Sequence, residues 1–331
     1  MNVVNTPAHE EMLQLSVVLV NYRTPELILD CLVTLLPDMS GLHARVVVVD
    51  NHSDDDSSGI ICSWLYKNDV EKKVMFIQSE TNSGFAGGNN LGFRSMRARH
   101  YLLLNSDTLV RSGAVATLLE TAAHYSQAGI MSPRLEWCDG TGQESCFRFH
   151  TPLSELIDAA KTSLVSRLLN RYVVALPVQR EIAIPQWTSF ACVLIRDEVF
   201  QQIGLLDDGY FMYFEDVEFC LRAHKAGWQI IHNPAARIVH LRGGSSSVKE
   251  SSRLKKRMPR YYYESRTRFY YQAHGWIGLT AANLFWWLGR LLSFFRQMAG
   301  RRDKAASDKQ WIDIWTNWLD PLKPYTHPSR Q

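Results

Sequence analysis

Three short apolar runs, each closed by small polar residues, constrain this chain more than any other feature. Leu15–Val20 (LSVVLV) ends at Asn21, Val46–Val49 (VVVV) at Asp50, and Tyr101–Leu104 (YLLL) at Asn105-Ser106-Asp107-Thr108. A continuous apolar run of this length reads as a strand covered on both faces, the habit of a parallel sheet. Helical periodicity fills the gaps. Thr24-Pro25-Glu26 offers a helix start, with Pro at the first helical position and an early acid, ahead of Leu27–Leu36. Ile60–Tyr66 reads as a helix, Val74–Ile77 as another strand, and a further helix is expected from about Leu91 to Arg99. Strands alternating with helices at this spacing predict an α/β fold: a Rossmann-like, mostly parallel sheet flanked by helices, with right-handed crossovers. Such a sheet places its ligand outside the carboxyl ends of the strands, where Asn21, Asp50 and Asn105–Asp107 fall.

The 331 residues, 46% hydrophobic and 21% charged, suffice for one large domain with a helical extension or for two smaller ones. Disordered and fibrous classes are excluded. A net charge of +3 does not point to nucleic acid. The six cysteines form no CxxC pair and read as reduced thiols of a cytosolic protein, Cys138 and Cys146 being the closest in sequence. The first residues, MNVVNTPAHEEMLQ, lack the pattern of a cleaved signal.

Candidate chemistry lies at the strand ends. Asp50 is either a turn residue or a carboxylate that accepts from a base N–H or a ribose hydroxyl. Asn82-Ser83-Gly84-Phe85-Ala86-Gly87-Gly88-Asn89-Asn90 is not GxGxxG, which argues against a dinucleotide fold. Its glycines would let the backbone approach a ligand and aim amides at it, with Asn82 and Asn89 at the flanks. Asn105-Ser106-Asp107 is either a cap or a metal-binding cluster.

Farther on, residues 112–125 read as a helix, Ile130 as part of a strand and Cys138–Gln143 as turns. Residues 144–180 are irregular and include an amphipathic stretch, Leu153–Leu169, expected to lid or shape a second substrate site. Trp187–Ile195 reads as one buried strand. Phe211-Met212-Tyr213-Phe214-Glu215-Asp216 then leads into a helix. A start near Asp216 turns Phe219 and Cys220 to the core and leaves Glu215 and Asp216 at the positive helix end, as caps or as catalysts. Gly227 closes that helix, Gln229–His232 reads as a short strand, and His240 is either a satisfied core or loop residue or the further ligand that an Asp-based metal site would want.

The remainder is basic and aromatic. Residues 249–271 (KESSRLKKRMPRYYYESRTRFYY) suit either stacking or a contact with anionic lipid headgroups. Trp276–Met298 is apolar but interrupted by Arg290 and Arg296, with Arg301, Arg302 and Lys304 beyond it. It reads as an in-plane amphipathic helix or a hairpin packed on the rest of the chain, not as a span. Trp311, Trp315 and Trp318 recur at helical spacing.

Taken in order, VVLVNYR, VVVVDNHSDD, NSGFAGGNN, LLLNSDT, FMYFEDVEFCLRAHKAGW and IVH resemble the family 2 glycosyltransferases of the GT-A fold over about Leu15 to Gly244. The likeness is to the bacterial rhamnosyltransferase-like branch that builds lipopolysaccharide or other cell-surface glycans. The resemblance implies a donor-binding half over 13–135, an acceptor-binding and catalytic half over 136–245, and a helical C-terminal extension over 246–331. It implies that Asp107 binds a divalent Mg²⁺ or Mn²⁺ bridging the donor diphosphate, with Asn105 in place of the family's first Asp. It further implies Asp50 as the nucleoside-binding acid, Asp216 as general base beside Glu215, and His240 as a helper on the metal.

Those residue types suit the chemistry. A metal neutralises charge on a departing diphosphate, and a carboxylate takes the proton of an attacking hydroxyl. The sequence therefore points to an inverting enzyme that takes a sugar, such as rhamnose, from a nucleotide-diphosphate sugar. The acceptor would be lipid-linked or a growing glycan at the inner face of the cytoplasmic membrane, met peripherally through the extension. A non-catalytic sugar-nucleotide or glycan-binding subunit is the rival. A nucleotidyltransferase would want a Gly-rich phosphate loop after the first strand, where Asn21-Tyr22-Arg23 stands.

Overall fold

The computed structural model describes residues 12–242, 256–299 and 306–330. The basic positions Lys249, Arg301, Arg302 and Lys304, and Gly243–Ser245, lie outside the described residues.

Four parallel strands, β1 (Leu13–Asn21), β2 (Ala44–Asp50), β3 (Val74–Gln78) and β4 (Ala98–Asn105), open the chain. Helices α1 (Pro25–Asp38), α2 (Ser57–Lys67) and α3 (Gly84–Ser95) connect them. The valines and leucines that mark these strands are buried because both sheet faces are covered, as β-branched runs require. Next come β5 (Thr108–Val110), α4 (Ala114–His124), β6 (Ala128–Glu136) and β7 (Cys146–Phe147). After α5 (Pro152–Ala160) and α6 (Ser163–Leu168) follow β8 (Trp187–Thr188), β9 (Cys192–Arg196), α7 (Asp197–Ile203), α8 (Glu215–Lys225) and β10 (Gln229–His240). The main sheet has the order β3-β2-β1-β4-β9-β6-β10-β5, and β7 pairs with β8 beside it. It is mostly parallel, with β9 antiparallel to both neighbours and β5 antiparallel to β10.

Several expected boundaries move. The Gly-Asn stretch is not a loop, because α3 already starts at Gly84 and ends at Ser95, so that β4 takes in Arg99. A Cβ at Gly88 would meet Val20 and Asn51, and one at Gly92 would meet Val18, so these glycines let α3 lie close on β1. The expected strand Trp187–Ile195 breaks into β8 and β9 with residues 189–191 crossing between sheets. The amphipathic stretch Leu153–Leu169 splits at Lys161, whose φ is 47°. The short strand at Gln229–His232 runs on to His240 through an irregularity between Asn233 and Arg237. All six cysteines are free thiols.

The basic-aromatic stretch enters a long helix, α9 (Arg260–Met298), that bends at Gly275, where φ is 66° and ψ −171°. Its first arm is core, not a lipid-facing surface: Tyr263, Phe269 and Tyr270 are buried, and Arg260, Arg266 and Arg268 pair with Glu264, Glu155 and Asp207. Its second arm lies on α5 through small residues, a Cβ at Gly289 standing 2.7 Å from both Ala159 Cβ and the Leu156 carbonyl oxygen. The opposite face leaves Ile277, Trp287, Leu291, Phe294, Phe295 and Met298 exposed. No helix among the described residues is long and apolar enough to cross a membrane. The segment after α9 holds the short helix α10 (Gln310–Asp313) and returns along the first arm. Arg257 holds Asp313 through two bonds of 2.9 and 2.7 Å, and Thr267 Oγ1 donates to the Thr316 carbonyl at 2.8 Å.

Candidate active site

Outside the carboxyl ends of β1, β2 and β4 lies a cavity of about 790 Å³. Asp107 and Asp216, far apart in sequence, both line it, with Asn82, Gly84, Asn89, Asn105, Glu215 and His240. The wall between the two acids is Ser189-Phe190-Ala191, the crossing from β8 to β9, and Asn105 N–H donates to the Ala191 carbonyl at 2.9 Å.

Asp107 sits in the turn from β4 to β5, and the pairing of β5 with β10 brings His240 to it: His240 Nε2 lies 3.5 Å from Asp107 Oδ1. Both are under a tenth exposed. Gln143 fixes the strand end by donating to the carbonyls of His240, at 2.7 Å, and Glu136, at 3.1 Å. Glu136 is itself buried. Burial pushes its carboxyl up, but bonds from Arg237 and Arg111 outweigh that and hold it below the usual carboxylate range. Three buried polar atoms on the cavity wall have no hydrogen-bond partner among the described residues: Asn105 Oδ1, His240 Nδ1 and Glu215 Oε2. Buried polar atoms are rarely left unsatisfied, and three of them on residues that line one cavity point to a ligand there.

Glu215 and Asp216 open α8. Immediately before them Tyr213 and Phe214 are both left-handed, with φ of 72° and 68°. Non-glycine residues adopt this backbone only where the surroundings enforce it. Here the enforcement is aromatic: Phe214 stacks on Phe269 of the first arm at 5.6 Å and 29°, and Tyr213 meets Tyr262 edge-on at 5.7 Å. The turn is also tied to α3. Phe85 N–H donates to the Phe211 carbonyl at 2.7 Å, and Asn90 exchanges two bonds with the backbone of Leu206. Gly84, with φ of +72°, is required because a Cβ there would collide with the Phe211 carbonyl. Burial pushes the Asp216 carboxyl up to about 6, although its own helix amide, Val217 N–H at 2.8 Å, works the other way. Glu215 is pushed up further, first by burial and then by the Asp216 charge beside it. Burial thus disfavours the charged form of both adjacent acids.

Some expected contacts are not where the pattern placed them. Asn21, Asp50, Gly87 and Gly88 do not line the cavity. The Asp50 carboxylate is occupied by Asn21 Nδ2 at 2.7 Å, Ser53 Oγ at 2.6 Å and Ser53 N–H at 3.1 Å, and Asn21 Oδ1 in turn accepts from Thr24. The amides at the start of α3 serve the fold: Gly84 N–H donates to Asn82 Oδ1 at 3.0 Å, and Phe85 N–H to Phe211. Residues 144–180 supply nothing to this wall. They back it, His150 standing 5.6 Å from the Phe214 ring.

Other lining residues were not singled out by pattern. Arg23 and Arg242 each follow a strand end in left-handed backbone, at φ of 58° and 51°, and line the cavity, their guanidinium groups held by Asp54 and by Gln143 with the Glu144 carbonyl. Asn51, next to Asp50, bonds Asn82 Oδ1 at 3.0 Å and the Gly84 carbonyl at 2.9 Å. An Arg one or two residues past a buried strand was the available signal. His327, Pro328 and Ser329 also line the cavity, and nothing local in their sequence announces it.

Known proteins agree with this architecture. Low-salt glycan biosynthesis hexosyltransferase Agl10 of Haloferax volcanii is 30% identical over 217 residues, 64% of this chain and 62% of that protein. N-acetylglucosaminyl-diphospho-decaprenol L-rhamnosyltransferase of Mycobacterium tuberculosis is 28% identical over 158 residues, 46% of this chain and 50% of that one. The chain thus matches less than two thirds of the length of either curated relative. Among solved structures, mannosyltransferase PcManGT from Pyrobaculum calidifontis, in complex with GDP-Man and Mn²⁺, superposes with a TM-score of 0.50 at 13% identity, covering 95% of this chain and 86% of that one. GalNAc-T7 with UDP, GalNAc and Mn²⁺ gives 0.53 at 15% identity, covering 93% and 58%. Those two likenesses speak to the fold, which is of the GT-A type. The profile of "glycosyltransferase like family 2" matches residues 13–263, a stretch that takes in the whole main sheet and both acidic clusters, and the chain therefore belongs to glycosyltransferase family 2.

Proposed function

We propose that this chain transfers a sugar from a nucleotide-diphosphate sugar to a hydroxyl of a lipid-linked or growing glycan acceptor, with inversion at the anomeric carbon. The observation behind this reading is that Asp107 and Asp216 open onto one cavity of about 790 Å³, large enough for a donor and the reacting end of an acceptor. Asp216 is the general base. With its midpoint near 6, it is mostly ionised at neutral pH yet basic enough to accept a hydroxyl proton as the new bond forms. Glu215, whose carboxyl burial and the neighbouring Asp216 charge push up, orients the acceptor or its neighbour. A base on the acceptor side, across the cavity from the diphosphate, makes attack opposite the leaving group the natural course.

The diphosphate end is the Asp107 corner. One carboxylate, one imidazole and the amide oxygen of Asn105, left without a partner, are hard or intermediate donors suited to Mg²⁺ or Mn²⁺. Among the described residues no group of three His, Cys, Asp or Glu forms a complete metal site. An ion at this corner would be held by Asp107 with His240 and Asn105. Bound there, the ion would neutralise charge on the departing diphosphate. Arg242, whose guanidinium donates to Gln143 Oε1 and to the Glu144 carbonyl and whose charge burial disfavours, adds positive charge at the same end. Asn21 and Asp50 act by bracing Ser53 and the Thr24 turn behind Arg23. Rhamnose, the sugar in the name of the Mycobacterium tuberculosis relative, is the favoured sugar, with dTDP-rhamnose as the donor to try first.

The second arm of α9 buries Leu279, Ala282, Trp286 and Gly289 yet still leaves Ile277, Trp287, Leu291, Phe294, Phe295 and Met298 exposed, an apolar outer face unusual for a water-facing helix. We assign this face to the inner surface of the cytoplasmic membrane, where a lipid-linked acceptor resides. The deciding assay incubates the protein with dTDP-rhamnose, other nucleotide sugars, Mn²⁺ and a polyprenyl-diphosphate glycan. Nucleoside diphosphate released only when acceptor is present, and a product of opposite anomeric configuration, are expected. Retention of configuration would remove the direct-displacement scheme.

A further inference from the structure

Residues 325–329 lie far from the sheet in sequence, yet they close one end of the cavity. Thr326 is fastened to Glu264 on the first arm of α9 by its N–H, at 2.9 Å, and its Oγ1, at 3.0 Å. Tyr325 and His327 both rest on the Phe211 ring, at 5.3 and 5.7 Å. His327 Nε2 lies 3.0 Å from the Asn82 carbonyl oxygen, and Ser329 N–H donates to His327 Nδ1 at 3.2 Å. The Ser329 N–H makes Nδ1 the accepting nitrogen and leaves Nε2 to face the Asn82 carbonyl. Both ring nitrogens are thereby engaged within the protein, so the face and edge of the imidazole, beside the Pro328 ring, are what remain for a ligand.

The end they close is identifiable. Asn82 follows β3, and its side chain bonds Asn51, which follows β2. In the order β3-β2-β1-β4 these strands lie on the opposite side of β1 from β4 and β10, which supply Asp107 and His240. A donor whose diphosphate meets Asp107 therefore extends its nucleoside toward Asn51, Asn82 and residues 327–329. Accordingly, and resting on the donor reading above, we infer that His327 and Pro328 form a stacking wall for the base of the donor nucleotide. The segment is part of the donor site, and the base is held between it and the strand ends.

The test measures binding by calorimetry to the full chain with Mn²⁺, using UDP, dTDP and GDP as probes and pyrophosphate as the probe that lacks a base. Loss of a stacking partner weakens base binding by about tenfold or more. His327→Ala is expected to weaken the preferred nucleoside diphosphate by that factor while pyrophosphate binding stays within about twofold. His327→Phe, which keeps a flat ring without nitrogens, is expected to restore most of the loss. In transfer assays the donor KM rises while kcat at saturation changes little. In the unaltered protein, hydrogen exchange of residues 325–329 should slow with nucleoside diphosphate and not with pyrophosphate, a reading that stands even if a variant fails to fold. Equal losses for both probes, or no loss, or unprotected 325–329 amides while Asn82–Asn89 become protected, would overturn the base wall alone. Failure of the unaltered protein to bind any nucleoside diphosphate would overturn the donor reading, and the wall with it.

Discussion

Lowering the pH from 7 to 5 tests the acid pair directly. A carboxyl with its midpoint at about 6 is ionised in about nine-tenths of molecules at pH 7 and about one-tenth at pH 5, so kcat/KM should fall about tenfold. A carboxyl at its ordinary value of 3.8 would lose less than about a tenth of its ionised form over that interval. The assay is initial nucleoside diphosphate release at subsaturating donor with saturating acceptor, with circular dichroism to show that the fold persists at each pH. Asp216→Asn should remove the acidic limb and reduce turnover by about 10²- to 10⁴-fold while leaving donor affinity unchanged. Stability should move the other way. The folded midpoint lies above that of an unfolded carboxyl, so folding is favoured at low pH, and that contribution is lost as pH rises through about 6. Asp216→Asn should therefore melt higher than the unaltered protein at pH 7 and equally at pH 4. A flat rate profile between pH 5 and 7, or near-normal turnover of the Asn variant, would refute both the buried base and its assignment to Asp216.

Other consequences can be measured separately. Asp107→Ala should abolish stimulation by Mn²⁺ and raise the donor KM, and unaltered activity of the native protein in EDTA would show that no metal is needed. Gly84→Ala places a methyl group against the Phe211 carbonyl in left-handed backbone and should cost about 2 kcal/mol or more in urea unfolding. Phe294→Glu with Phe295→Glu should abolish co-flotation with anionic vesicles without changing the melting temperature, since both side chains are more than half exposed.

The strands with pure apolar sequences were legible because a run such as Val46–Val49 has only one economical environment, a sheet covered on both faces. The acid pair was legible for a related reason: Phe219 and Cys220 fix which face of α8 is buried, and with it where the helix begins. The start of α3 was misjudged because glycine lowers helix propensity locally, whereas Gly88 and Gly92 are there for contact with Val20 and Val18 across the sheet. Asp50 could not be assigned from type alone, since a turn carboxylate and a ligand-binding one look the same until Ser53 and Asn21 are seen to occupy it. The role of Tyr262 and Phe269 was hidden for a different reason. Aromatic density marks burial against something, but only the tertiary structure says that the something is the Tyr213-Phe214 turn.

The bond from Phe85 to Phe211, with the paired bonds of Asn90 to Leu206, joins α3 and the loop leading to Asp216 into one piece. A hinge between the two cannot serve as the door through which substrates come and go. Entry and exit must instead happen at the margin of the cavity, so turnover should respond to changes at that margin more readily than to any loosening between the strands.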